Sequence, residues 1–102
     1  MKIIALEREL PGASPESFQA YAREEARTAW ELHQAGLIRE LYFRADQSTA
    51  VLVLECVSID EAGKILAGLP LVRAGLIAFD LIPLKAYPGF ARLFGPPKGD
   101  VS

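Results

Sequence analysis

Sulfur and imidazole are nearly missing from this chain. A single cysteine, Cys56, rules out an internal disulfide, and its flanks, "VLECVS", read as a strand interior holding a buried, inert thiol. One histidine, His33, without a second histidine or a cysteine cluster, gives no zinc-type ligand set, so no metal is expected. It also leaves little for a Ser-His-Asp arrangement. No G-x-G-x-x-G run occurs and "AGKI" lacks the spacing of a phosphate loop. The longest apolar runs, "AVLVL" and "AGLIAF", are far too short to span a bilayer. No segment near Met1 has a basic-then-apolar leader pattern, and a cytoplasmic location with no membrane partner is the expectation. Charge of one sign is lacking too. The 11 basic and 13 acidic side chains are interspersed and supply no basic face for nucleic acid.

What the chain does have is apolar content. Of its 102 residues 51% are hydrophobic, which suits a single globular domain. We expect that domain over residues 1–95 and a flexible tail over 96–102, where turn-formers and polar residues collect.

"KIIALERE" (2–9) reads as a strand ending in the turn signal "PGASP". Ser14 followed by Pro15 is a helix start, a capping hydroxyl and then a residue whose missing N–H costs nothing there. That helix should run to about Ala35, with Gly36 as its left-handed terminator. "LIRELYFRA" and "TAVLVLECV" form a hairpin around "DQS". "SIDE" is a capping box in which Ser58 and Glu61 can bond reciprocally; it opens a helix, "IDEAGKILAGL", that Pro70 should stop. "LIAFDLIPLKAY" is the last strand, with Pro83 pointing to an edge position or a bulge. The order β-α-β-β-α-β gives an α+β, ferredoxin-like fold: an antiparallel four-stranded sheet with two helices on one face. The strands are apolar on both faces, however. Val51, Val53 and Val57 alternate with Leu52, Leu54 and Cys56. A second copy of the sheet would cover the face without helices, making a homodimer with a barrel-like core. Trp30, Phe90 and Phe94 are further candidates for an interface, unless the tail folds back over Trp30.

The first helix carries one fault. At about 100° per residue, Ala22, Ala29, Leu32 and Gly36 fall within about 40° of Phe18, and Glu25 lies about 20° from it. A carboxylate thus sits in the middle of the inward stripe. Losing hydration there raises its pKa toward the range in which it takes and returns a proton near neutrality. The alternative is a purely structural glutamate paired with an arginine. His33 lies about 60° from the stripe centre, two turns from Glu25, as an acid or orienting group or else a partner of the last helix carbonyls. Glu40, Tyr42 and Arg44 alternate onto one strand face. If that face lines the pocket, Arg44 can hold a substrate carboxylate and Tyr42 can donate to an enolate. If it meets a dimer seam or solvent, Glu40 and Arg44 form a charge pair. Arg73, after the "LPL" turn, is either a second carboxylate clamp or a solvated loop residue.

The stretch from Ala29-x-Glu31-Leu32 through Gly36, Glu40-Leu41, Ser58-x-Asp60-Glu61 and Leu69-Pro70-Leu71 resembles the muconolactone Δ-isomerase family. The likeness runs without gaps from about residue 22 to residue 85, most of the chain. It implies a dimeric α+β barrel, possible larger rings of dimers, and a cofactor-free proton shift on an unsaturated lactone bearing a carboxylate, or a related acid. Glu25 falls on a position where the family also has glutamate. Two departures stand out. Lys85-Ala86-Tyr87-Pro88 replaces an Arg-His-Pro type of ending, and Tyr42 stands where an indole is expected. The same fold also houses cofactor-independent oxygenases of aromatic substrates and can serve non-catalytic ligand binding or assembly, so both remain alternatives to the isomerase-like reading.

Overall fold

Hydrogen-bonding side chains and proline set where the helices begin. In a computed structural model that describes residues 1–95, the elements are β1 (Lys2–Glu9), α1 (Pro15–Gln34), β2 (Ile38–Phe43), β3 (Ala50–Glu55), α2 (Ile59–Leu66), α3 (Pro70–Arg73), β4 (Ile77–Pro83) and a closing 3₁₀ turn, Gly89–Leu93. The tail expected over 96–102 lies outside the described residues. Ser14 caps α1 through a reciprocal pair with Ser17: each main-chain N–H donates to the other's Oγ, at 3.1 and 2.8 Å. Ser58 accepts from the Glu61 amide at 3.1 Å to start α2. Only this half of the "SIDE" box forms.

Both helix-to-strand connections end in the same tetrapeptide, Ala-Gly-Leu-Ile, at 35–38 and 74–77. Gly36 (φ +81°) and Gly75 (φ +75°) take the left-handed conformation. Each closes a 6→1 and 5→2 pair: Leu37 N–H to Leu32 O with Gly36 N–H to His33 O, and Leu76 N–H to Leu71 O with Gly75 N–H to Val72 O. The isoleucine that follows in each case, Ile38 or Ile77, is buried in the core.

The second helix is shorter than the sequence suggests. α2 ends at Leu66, and Pro70 starts α3 instead of merely stopping α2. A proline suits the first turn of a helix as well as it breaks an interior, so one residue fits both roles. The last strand also stops early, at Pro83, which cannot donate to a ladder; it lies on an edge strand, as expected.

The sheet is antiparallel in the order β2-β3-β1-β4, giving the ferredoxin-like α+β architecture. One face carries Ile3, Ala5, Leu52, Leu54 and Ile77 into the core with Ala62, Leu66 and Leu69. The opposite face carries Ile4, Leu6, Val51, Val53 and Ile82, which no helix covers. A bulge in β2 decides the facing that periodicity left open. Ile38 pairs with Leu54 and Glu40 with Val53, so β2 advances two residues while β3 advances one. Beyond that point odd-numbered residues face the helices. Leu41 and Phe43 point inward, opposite Leu52 and Ala50, and Glu40 and Tyr42 point outward, opposite Val53 and Val51.

Candidate functional site

Helix α1 has an apolar stripe, yet none of its residues is fully buried. The stripe is built largely from alanines, whose side chains are too short to fill the gap to the sheet. A cleft of about 740 Å³ is left between α1 and the core face of the sheet. Phe18, Trp30, Phe43 and Phe79 supply its aromatic walls, Ala22, Ala29 and Leu52 its aliphatic ones, and Glu25 projects into it. The carboxylate in the middle of the stripe therefore faces a cavity and not a packed core.

Glu25 is half-buried and makes no ion pair among the described residues. Its Oε1 accepts from the Leu71 amide at 2.9 Å. That N–H belongs to the first turn of α3, where amides have no partner within the helix. This bond ties α1 to α3, and Oε2 is left without a hydrogen bond from the described residues. Burial pushes the carboxyl above its ordinary value. The Leu71 amide pulls it back in part, and the charge of Glu7 adds to the push.

Glu7 was not singled out in the sequence, although its alternation gives it away. Ile3, Ala5 and Glu7 share one face of β1, so Glu7 enters the same cleft from the sheet. Its geometry parallels that of Glu25: Oε1 accepts from the Ala50 amide at 3.0 Å, and burial raises its pKa, with the Ala50 bond opposing and Glu9 adding repulsion. Two carboxylates, each steadied by one main-chain amide, thus share one apolar cavity.

His33 also lines the cleft. Its Nδ1 lies 2.9 Å from the Ile38 carbonyl, which only accepts, so Nδ1 carries a proton and donates it there, leaving Nε2 as the other ring nitrogen. Its partner is in β2, not among the last carbonyls of α1. The Trp30 ring packs against it at 5.7 Å and remains 58% exposed; the closing turn does not bury it, and Phe94 is itself 87% exposed.

The other residues named from the sequence lie elsewhere. Tyr42 donates to Glu40 at 2.7 Å on the outward face, one turn of the pleat from the position a pocket role needs. Arg44 forms a bidentate pair with Asp46, at 2.9 and 2.6 Å, in the hairpin loop. Neither Arg44 nor Glu40 lines the cleft, and the charge pair expected between them is replaced by these two local contacts. Arg73 ends α3, exposed and away from the cavity. Cys56 is buried, as expected. Among the described residues no cluster of three or more His, Cys, Asp or Glu side chains could hold a metal, and no helix is long and apolar enough to cross a membrane.

The raised carboxyls carry a pH signature. The folded state binds protons at Glu7 and Glu25 more tightly than the unfolded chain does. Their contribution to stability is therefore lost as pH rises from the ordinary value of 4.5 through the raised values. Glu7→Gln keeps an oxygen for the Ala50 amide and removes the charge. Thermal melts should place this variant a few degrees above the unsubstituted protein near neutrality and level with it at about pH 3, where both forms are uncharged. A variant that melts lower at neutral pH would contradict the burial argument.

Fold and cleft together define a ferredoxin-like α+β protein with a ligand-sized cavity between its long helix and its sheet. Among solved structures this architecture is similar to that of muconolactone isomerase, with a TM-score of 0.71 and 21% identity over 86% of this chain and 92% of that one. It is similar also to 5-chloro-2-hydroxyhydroquinone dehydrochlorinase (TftG) from Burkholderia phenoliruptrix AC1100 in complex with 2,5-dihydroxybenzoquinone. There the TM-score is 0.60 and the identity 20% over 87% and 98% of the two chains. The chain has the muconolactone isomerase-like fold. No protein-family model and no curated protein matches its sequence.

Proposed function

We propose that the protein is an isomerase-like enzyme that moves a proton, without a cofactor, on a small unsaturated lactone or a related acid. The observation that carries this reading is Glu25: a half-buried carboxylate on the wall of an apolar cavity, with one oxygen anchored on an amide and the other without a hydrogen bond from the described residues. Such a group suits a one-base allylic shift. Oε2 takes the proton from the carbon beside the ring double bond, the electrons delocalise toward the carbonyl, and the same oxygen returns the proton further along. The anchoring bond keeps the carboxyl oriented through both steps. His33, the other titratable group that α1 brings to the cleft, is proposed to orient the ligand or give a proton. Two enzymes of this fold, named for a lactone and a chlorinated hydroquinone, act on small oxygenated rings, which supports the same substrate size here.

The test is conversion of a butenolide in D₂O with no added cofactor, followed by proton NMR. The expected result is a displaced double bond, with solvent deuterium at the reprotonated carbon to the extent that the Glu25 carboxyl exchanges with D₂O before it returns the proton. An unchanged panel of lactones would overturn the reading.

The four aromatic walls favour a second reading, a cofactor-free oxygenase that uses the same base on a phenolic ring. Oxygen uptake with a naphthol or quinol, in place of isomerisation, would support it. For either chemistry we propose a homodimer in which the helix-free sheet faces of two copies pack together, with rings of such dimers as a further possibility. The apolar residues that no helix covers, Ile4, Leu6, Val51, Val53 and Ile82, support that arrangement.

A further inference from the structure

The charges around the cleft bear on which substrates enter it, a question that deepens the reading of Glu25 as a proton carrier and rests on it. Glu7 and Glu25 project into the cavity, and Glu9 adds a third acid on its wall. His33 is the only basic side chain there. No lysine or arginine lines the cleft among the described residues. Three arginines are committed elsewhere: Arg44 to Asp46, Arg8 to Asp80, and Arg39 to the Gly36 carbonyl. The amides of Ala50 and Leu71 hold the two inner carboxyls in place, so neither is free to swing out to water.

A ligand carboxylate in this cavity would give up its hydration and meet negative charge instead of a cation or an array of N–H donors. Glu7 and Glu25 are themselves partly buried, so solvent screens that repulsion less than it would on an open surface. An uncharged ring meets no such obstacle. Its hydroxyl, where it has one, can donate to a carboxylate oxygen. We infer that the cleft selects an uncharged ring compound, a lactone or phenol without a carboxylate, and turns anionic analogues away through Glu7 and Glu25.

A matched pair of probes tests this without knowledge of the substrate. N-phenyl-1-naphthylamine is uncharged, and 8-anilino-1-naphthalenesulfonate is its sulfonate. Trp30 is the only tryptophan and lines the cleft, so the NMR shift of its indole N–H reports binding there. The amine should shift this signal in the unsubstituted protein. The double variant Glu7→Gln, Glu25→Gln should gain at least about tenfold in affinity for the sulfonate and less than about threefold for the amine. The inference is overturned if the amine leaves the indole unmoved, if the sulfonate binds the unsubstituted protein as tightly as the amine, or if removing both carboxylates leaves sulfonate affinity unchanged. Charge selection in a protein that leaves all lactones untouched would refute the isomerase reading alone. Lactone turnover without charge selection would refute this inference alone.

Discussion

If the proposed activity holds, Glu25→Gln should lower turnover of an unsaturated lactone by about 10²–10⁴-fold and leave the protein folded. The substitution is chosen for what it keeps. A glutamine Oε1 still accepts from the Leu71 amide, so the tie between α1 and α3 survives. What disappears is the basicity of the carboxylate. Affinity for an uncharged lactone should change little, and the loss should fall on kcat instead of KM. Glu25→Ala provides the contrast. It removes the tie as well as the base, and leaving the Leu71 amide unpaired should cost about 1 kcal/mol of stability. A glutamine variant that still turns over the lactone would exclude Glu25 as the base, even if the fold and the cleft stand unchanged.

Val53→Asp should convert the proposed dimer into a monomer that retains its secondary structure. Val53 lies at the centre of the helix-free face, paired with Ile4 on one side and Glu40 on the other. In a two-fold interface each substitution occurs twice. Two carboxylates enclosed among apolar side chains, at about 2 kcal/mol or more apiece, weaken association on the order of a thousandfold. Within one subunit the same side chain points away from the core, which is built from Leu52 and Leu54 on the other face, so the fold persists. Light scattering after gel filtration should give twice 11.1 kDa for the unsubstituted protein and 11.1 kDa for the variant. A monomer in both cases would mean that the open face is covered by something other than a second copy.

The elements that were legible in the sequence are those whose ends are fixed by local chemistry. Ser14 with Pro15, Ser58 before α2 and Gly36 after α1 each act within a few residues, and each marks its helix end as read, although only the Ser58 half of the capping box forms. Glu25 was legible for the same reason, because a helical stripe reports its own exceptions. The facing of β2 was harder. A bulge shifts the period-two pattern by one residue, and the only trace it leaves is the inward set Ile38, Leu41, Phe43, spaced by three and then by two. Read as unbroken alternation from Ile38, that strand assigns Tyr42 to the pocket face, where the structure does not place it. The cleft itself depends on how far α1 stands from the sheet, a distance that side-chain volumes hint at only through the run of alanines. Glu7 entered the site because β1 delivers its acidic end to the same cavity, a coincidence of two distant segments that neither one records alone.

The central claim is that Glu25 is a carboxylate partly withdrawn from water and poised to exchange a proton. Carbon-13 NMR titration of its side-chain carboxyl, assigned by comparison with Glu25→Gln, measures this directly. The account predicts a midpoint above the ordinary value of 4.5 that moves down when Glu7 is replaced by glutamine. A midpoint at or below 4.5, unmoved by that replacement, would contradict it.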